Sequence, residues 1–283
     1  MSNTTPSLHS ILNLSFPVTV VDAGANPIDG APAYDSLLKA GHAKVIGFEP
    51  NLEALEKLKS AQGPNEIYLP HALGDGKTHQ LHHCYAPGMT SLLEPNPEVL
   101  GLFHGFQDWG RVERIEEVTT VRLDDIAETA GADLIKLDVQ GAELMVLEHA
   151  RTRLAQATVI ETEVEFLPMY VGQPLFSEID IFLRQNGFYL HRFNQIVSRV
   201  LKPMILNDDI MAGFSQSLWG VAIFVRDLTK LSDLKPEVLL RMAAILHDCY
   251  QSFDAVQRIL MEYDRQTKSC YGILYGKAVG GMA

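Results

Sequence analysis

A chain of 283 residues with 47% hydrophobic side chains has room for one large α/β domain with a substantial core, or for a main domain with an appendage. Its formal net charge of −12 opposes a nucleic-acid phosphate backbone and an anionic membrane surface, so neither is expected as a partner. Cys84, Cys249 and Cys270 are odd in number and far apart with no Cys-x-x-Cys, which suggests neither a disulfide framework nor a zinc knuckle and points to a reducing compartment.

Residues 1–17 read as a leader or a short helix packed on the sheet. They lack a basic start and Pro17 interrupts their apolar stretch, so no signal peptide is expected. No window reaches the ~20 uninterrupted apolar residues of a membrane span, and a cytoplasmic protein is expected. Val18, Val20 and Val21 suit a buried strand, which Asp22 and Gly24 end. Tyr34, Leu37 and Leu38 then recur at helical spacing, and "KVIGFEP" is a second strand. Two parallel strands joined through a helix form a right-handed crossover, whose first turn lies at the carboxyl edge where open α/β sheets bind ligands.

Asn51 caps a helix carrying Leu52, Leu55 and Leu58, and "EIYLPHALGDG" is a third strand closed by Gly74 and Gly76. "THQLHHCYA" and "VERIEEVTTVRLDDI" have strand character, and the long irregular segment 87–111 between them is expected to be a lid on the acceptor side. "ADLIKLDVQG" is a clear strand and turn, followed by one helix with Leu144, Leu147 and Leu154 on a side. "ATVIETEVEF" is a strand, residues 177–186 are a helix capped by Ser177, and "GFYLHRFN" and "WGVAIFVRD" are two final strands. The sheet domain is placed at residues 18–228. Residues 229–283 read as a helical appendage of two amphipathic helices, the first started by Pro236, and they offer a surface for a homodimer.

Acids stand at or just past the ends of several of these strands: Asp22, Glu49, Asp138 and the series Glu161, Glu163, Glu165. A single one is as well explained as a helix cap. Glu49, however, ends the second strand 27 residues after Asp22, where a carboxylate can accept both hydroxyl hydrogens of an adenosine ribose. The glycine-rich dinucleotide fingerprint is absent. Asn26 brings a side chain where a pyrophosphate needs room, and Asp22 would repel phosphate but could face an ammonium. Adenosine joined to an amino acid suits these groups better, and S-adenosylmethionine is such a ligand. A nicotinamide dehydrogenase and a non-catalytic nucleoside-binding module are the alternatives, although Asp22, Glu49 and Asp138 are all present.

"VVDAGAN", "VIGFEPN", "PHALGDG", "GMTSLL", "LIKLDVQGAELMVLE" and "VIETEVEF", in this order over residues 18–225, resemble the successive motifs of the FkbM family of S-adenosylmethionine-dependent methyltransferases. The resemblance implies a class I methyltransferase fold, a Rossmann-like and mostly parallel seven-stranded sheet with an antiparallel final hairpin. It also implies methylation of a hydroxyl on a sugar, glycan or secondary metabolite. By position it implies that Asp22, Gly24 and Asn26, with Ala25, line the methionine end of the cofactor. Glu49, with Pro50 and Asn51, would hold the ribose; Ala72 and Leu73 would flank the adenine; Asp138 would lie by the sulfonium with Ser91 nearby. The family pattern has a glycine two residues after the asparagine, whereas this chain has Pro27 and Ile28 there and reaches glycine at Gly30, a wider turn.

Methyl transfer to an alcohol requires an aligned oxygen and a base. Asp138 and Glu163, at the ends of neighbouring strands, are the candidates. Glu143, at a helix start, is favoured there by the dipole alone and is read as a cap. His82 and His83 point to opposite faces of a strand, so at most one can face the pocket, and a surface or core role is preferred for both and for His104. A metal held by Asp138, Glu163 and a histidine lacks recognisable ligand spacing and is not adopted. Phe106 and Trp109 stack on a sugar ring or anchor their loop.

Overall fold

The computed structural model describes residues 6–26 and 30–279; the expected wide turn at Pro27 and Ile28 falls outside them. Helix α1 (Leu8–Leu12) starts at Ser7, whose Oγ accepts from Ser10 N, and precedes β1 (Val18–Ala23). Then come α2 (Asp35–Lys39), β2 (Ala43–Phe48), α3 (Leu52–Ala61) and β3 (Glu66–Leu69). Asn51 caps α3 as expected, its Oδ1 accepting from the N–H groups of Glu53 and Ala54. The strands β4 (Thr78–Cys84) and β5 (Val112–Thr119) exist but pair with each other as an antiparallel ribbon separate from the main sheet. The single-turn helices α4 (Pro97–Leu100) and α5 (Phe106–Trp109) lie between them.

After β6 (Leu134–Leu137), the single helix expected is two, α6 (Glu143–Glu148) and α7 (Arg151–Gln156), broken at His149 and Ala150. Next are β7 (Val159–Glu165), α8 (Phe176–Gln185), β8 (Phe188–Arg199) and β9 (Gln216–Arg226). Ser177 does not cap α8. The helix begins one residue earlier, and Glu178 Oε2 accepts from both Leu175 N (3.1 Å) and Ser177 Oγ (2.8 Å), so the serine serves the glutamate.

The main sheet has the order β3-β2-β1-β6-β7-β9-β8. Its first five strands are parallel, and β9 runs antiparallel to both β7 and β8, as the mostly parallel class I expectation requires. Alternation along the strands divides the core. Val21, Ala23, Ile46, Ile135, Leu137 and Ile160 face one layer, with Val146, Leu147 and Leu154 of α6–α7 and Ile179, Phe182 and Leu183 of α8. Val18, Val20, Val45, Leu134 and Val159 face the other.

That second layer holds α1, α2 and the C-terminal helices α9 (Pro236–Asp248), α10 (Phe253–Thr267) and α11 (Tyr271–Ala278). The segment read as an appendage therefore shares the sheet's core, through Leu239, Met242, Leu246, Ile259 and Tyr275, and carries three helices instead of two. Gly272 and Gly276 dilute the helical pattern of α11; its start is fixed from α10, where the Asp264 carboxylate accepts from Tyr271 N and Gly272 N, both at 2.8 Å. No helix among the described residues is long and apolar enough to cross a membrane.

Candidate active site

From β1 the chain runs outward through β2 to β3 on one side, and from β6 through β7 on the other, so the order reverses between β1 and β6. Open sheets leave a crevice at the carboxyl ends of such a pair. The two strand-end turns meet there: Asp138 N donates to Ala23 O (3.0 Å), and Gly24 N to Phe48 O (3.1 Å). Gly24 has φ +81°, and a Cβ at this position would lie 2.1 Å from Asp138 O, so glycine is required by both backbone and space.

Parallel register builds the polar part of the site. Asp22 pairs with Lys136, and Lys136 with Glu161, so three charged groups stand in one row across three strands on the face covered by α2 and the C-terminal helices. Lys136 Nζ donates to Asp22 Oδ1 (2.8 Å), Tyr34 OH to Asp22 Oδ2 (2.5 Å), and Tyr250 OH to Glu161 Oε2 (2.7 Å). Burial would lower the Lys136 pKa, but the charges of Asp22, Asp138 and Glu161 outweigh it and hold the ammonium above its ordinary value. Burial raises Glu161, against the Tyr250 hydrogen bond and Lys136. Asp22 is thus buried in an ion pair with the Lys136 ammonium beneath the turn.

Two residues further along β6 and β7, the same alternation brings Asp138 and Glu163 side by side. Gln140 Nε2 lies between them, donating to Asp138 Oδ1 (2.7 Å) and Glu163 Oε2 (3.2 Å). Gln140 adopts φ +52°, a left-handed conformation uncommon outside glycine. Ser91, sequence-placed near the cofactor, fastens this turn: its Oγ donates to Gln140 O (2.5 Å) and accepts from Leu93 N (3.0 Å). Glu143 secures the same turn, Oε1 accepting from Val139 N (2.9 Å) and Gly141 N (3.2 Å), so it braces the turn before α6 and does not cap the helix's own N–H groups. Burial pushes its pKa up to about 7. Glu165 is raised well above its ordinary value by burial and by the neighbouring Glu143 and Asp138.

Glu49 sits one residue past β2. It is buried, its Oε1 accepts from Asn51 N (2.7 Å), and desolvation raises its pKa against that hydrogen bond. Ala25 is buried beside it in the β1 turn, Gly24 and Asn26 are half-buried, and Pro50 and Asn51 are exposed. Leu73 is buried and bridged to Val121, while Ala72 is half-buried with its carbonyl on Val121 N (2.8 Å).

The histidines separate as strand alternation requires. His82 faces inward and is buried; His83 Nε2 meets Glu116 Oε2 at 2.9 Å on the outer face. His104 Nε2 pairs with Met204 O (3.1 Å), tying two exposed loops together. Phe106 and Trp109 pack on each other, with centroids 5.0 Å apart, and Phe106 also contacts Trp219, so they anchor segment 87–111. Among the described residues no group of three or more His, Cys, Asp or Glu is arranged to hold a metal. Lys136, Gln140 and Tyr170, whose OH donates to Met89 O (3.2 Å), went unread in the sequence. A lysine inside the apolar run "LIKL" is the signal that could have shown the buried row.

A sequence profile of the Methyltransferase FkbM domain matches residues 22–190. The 2-O-methyltransferase NoeI of Sinorhizobium fredii (strain NBRC 101917 / NGR234) is 28% identical over 193 residues, covering 61% of this chain and 73% of its own length. Among solved structures, precorrin-6y C5,15-methyltransferase from Geobacter metallireducens GS-15 overlays with a TM-score of 0.37 and 14% identity, covering 78% of this chain and 86% of its own. TYW2 of M. jannaschii, in complex with AdoMet, does so with a TM-score of 0.32 and 15% identity, covering 78% and 74%. The profile spans more than half of the sequence, from the Asp22 turn through the Asp138 and Glu163 strands, and the chain belongs to the FkbM methyltransferase family.

Proposed function

We propose that this methyltransferase moves a methyl group from S-adenosylmethionine to a hydroxyl of a sugar, glycan or secondary metabolite. The observation that carries the reading is the pair Asp138 and Glu163, set at the reversal point of the sheet one step beyond the Lys136 row. The name of the relative NoeI, a 2-O-methyltransferase, supports oxygen as the acceptor atom.

The residues fit the cofactor's nucleoside end. Glu49 is a buried, backbone-fixed carboxylate at the edge of the crevice, and vicinal ribose hydroxyls are the donors such a group lacks. Ala72 and Leu73 supply an apolar flank for adenine, and the turn at Gly24–Asn26 would hold the methionine end. When bound, S-adenosylmethionine supplies an electrophilic methyl on a positively charged sulfur. Asp138 and Glu163 orient the acceptor hydroxyl, and one of their carboxylate oxygens takes its proton. Lys136, in the row beneath, places a positive charge near Asp138. Ser91 and Glu143 hold the turn that carries Asp138.

Isothermal calorimetry with S-adenosylmethionine tests the cofactor assignment. Glu49→Ala is expected to weaken binding at least tenfold, the loss of about 1.4 kcal/mol or more of charge-assisted hydrogen bonding. Unchanged affinity would remove the ribose from Glu49.

A further inference from the structure

We infer, resting on the cofactor reading above, that the Lys136 ammonium binds the carboxylate at the methionine end of S-adenosylmethionine. Asp22, beneath the β1 turn, has both carboxylate oxygens taken by the protein: Oδ1 accepts from Lys136 Nζ (2.8 Å) and Oδ2 from Tyr34 OH (2.5 Å). The ammonium that Asp22 faces is therefore the protein's own. The Asp22 side chain is 2% exposed and that of Lys136 is 18% exposed, so the member of this ion pair open to a ligand is the cation.

The sheet explains why the lysine stays open and in which direction. In the row Asp22, Lys136, Glu161 the acids stand on the outer strands, and a tyrosine covers each: Tyr34, at the start of α2, bonds Asp22, and Tyr250, between α9 and α10, bonds Glu161. Lys136 stands between them on β6. On its own strand face Leu134, two residues back, is 1% exposed, while Asp138, two residues ahead, is half-buried at the crevice. Solvent thus reaches Lys136 from the crevice side. The charges of Asp22, Asp138 and Glu161 keep the ammonium protonated against its burial. Around the crevice, the carboxylates Glu49, Asp138 and Glu163 suit a ligand with two positive charges, the ammonium and the sulfonium. The ligand's one anionic group needs a cation, and Lys136 supplies it.

Calorimetry with S-adenosylmethionine, decarboxylated S-adenosylmethionine and 5′-methylthioadenosine tests this with no acceptor present. Loss of the carboxylate is expected to weaken binding to native protein at least about tenfold. In Lys136→Met the two sulfonium ligands are expected to bind within about threefold of each other, because the partner of the carboxylate is gone. That substitution leaves Asp22 charged and buried without its cation, so Asp22→Asn combined with Lys136→Met, which strands neither charge, is measured beside it with the same expectation.

Native protein that binds both sulfonium ligands alike overturns the proposal. A folded variant lacking Lys136 that still discriminates as native protein does also overturns it, since another group then holds the carboxylate. Failure of native protein to bind any of these ligands, 5′-methylthioadenosine included, is a different result, which removes the cofactor reading itself.

Discussion

Asp138 belongs to two structures at once: its backbone carbonyl fills the space that Gly24 leaves, and its side chain shares the Gln140 amide with Glu163. Asp138→Asn keeps the shape and a hydrogen-bond acceptor while removing the charge. It is expected to lower kcat by about 10²-fold or more and to change S-adenosylmethionine affinity far less, because a proton acceptor acts on the transition state. Equal losses in both would make Asp138 a cofactor ligand only. Adding Glu163→Gln measures coupling: non-additive losses mean that the pair works as one unit. Asp138 was legible because it follows the apolar run of β6; Glu163 lies inside β7, two residues short of its end and not at a strand end as expected, and the strand period brings it beside Asp138. Gln140 and Tyr170 were not legible, because their roles depend on a left-handed turn and on a contact between positions 81 residues apart. His82 was visible as one of two inward-or-outward alternatives, which its burial and the outward contact of His83 with Glu116 decide.

Among the elements, segment 87–111 departs furthest from its expectation. Its length and irregularity suggested a lid, but Leu100, Phe103 and Phe106 form a small core with Met169, Tyr170 and Leu218. Backbone bonds from Asn96 N to Met169 O (2.8 Å) and from Val171 N to Glu94 O (2.8 Å) stitch it to the loop after β7. Shortening the segment is therefore expected to cost stability as well as transfer. Phe106→Ala isolates the packing contribution: truncating this buried ring should lower unfolding free energy by about 3 kcal/mol or more. Urea denaturation measures it, and a change under about 1 kcal/mol would mean that the segment is loosely docked. Alternation made β1, β2, β6 and β7 readable, whereas the separate pairing of β4 with β5 was hidden because strand propensity does not name a partner. The break between α6 and α7 was hidden for a similar reason: leucines on one side continue across it.

On the scale of the whole molecule, the first helix packs on the C-terminal helices beneath the sheet. Pro6 O pairs with His247 Nε2 (2.9 Å), and Leu8 N donates to Asp248 Oδ2 (3.3 Å), joining the first helix to α9. Burial pushes the Asp248 pKa from its ordinary 3.8 up to about 7. The native state thus binds this proton more tightly than the unfolded chain, so the group's contribution is fully present below about pH 4 and is lost as pH rises to about 7. The buried His9 and His247 and the half-buried His191, whose pKa values desolvation lowers, act in the opposite sense below their ordinary 6.5, so the overall melting curve mixes both effects. Asp248→Asn separates them, because the amide still accepts from Leu8 and never ionises. Its melting temperature should match that of native protein near pH 4 and exceed it at pH 8 by the equivalent of at least about 1 kcal/mol, allowing for partial solvent access. Parallel melting curves across this range would mean that Asp248 remains ionised in the folded protein and that the junction of α1 with α9 tolerates its charge.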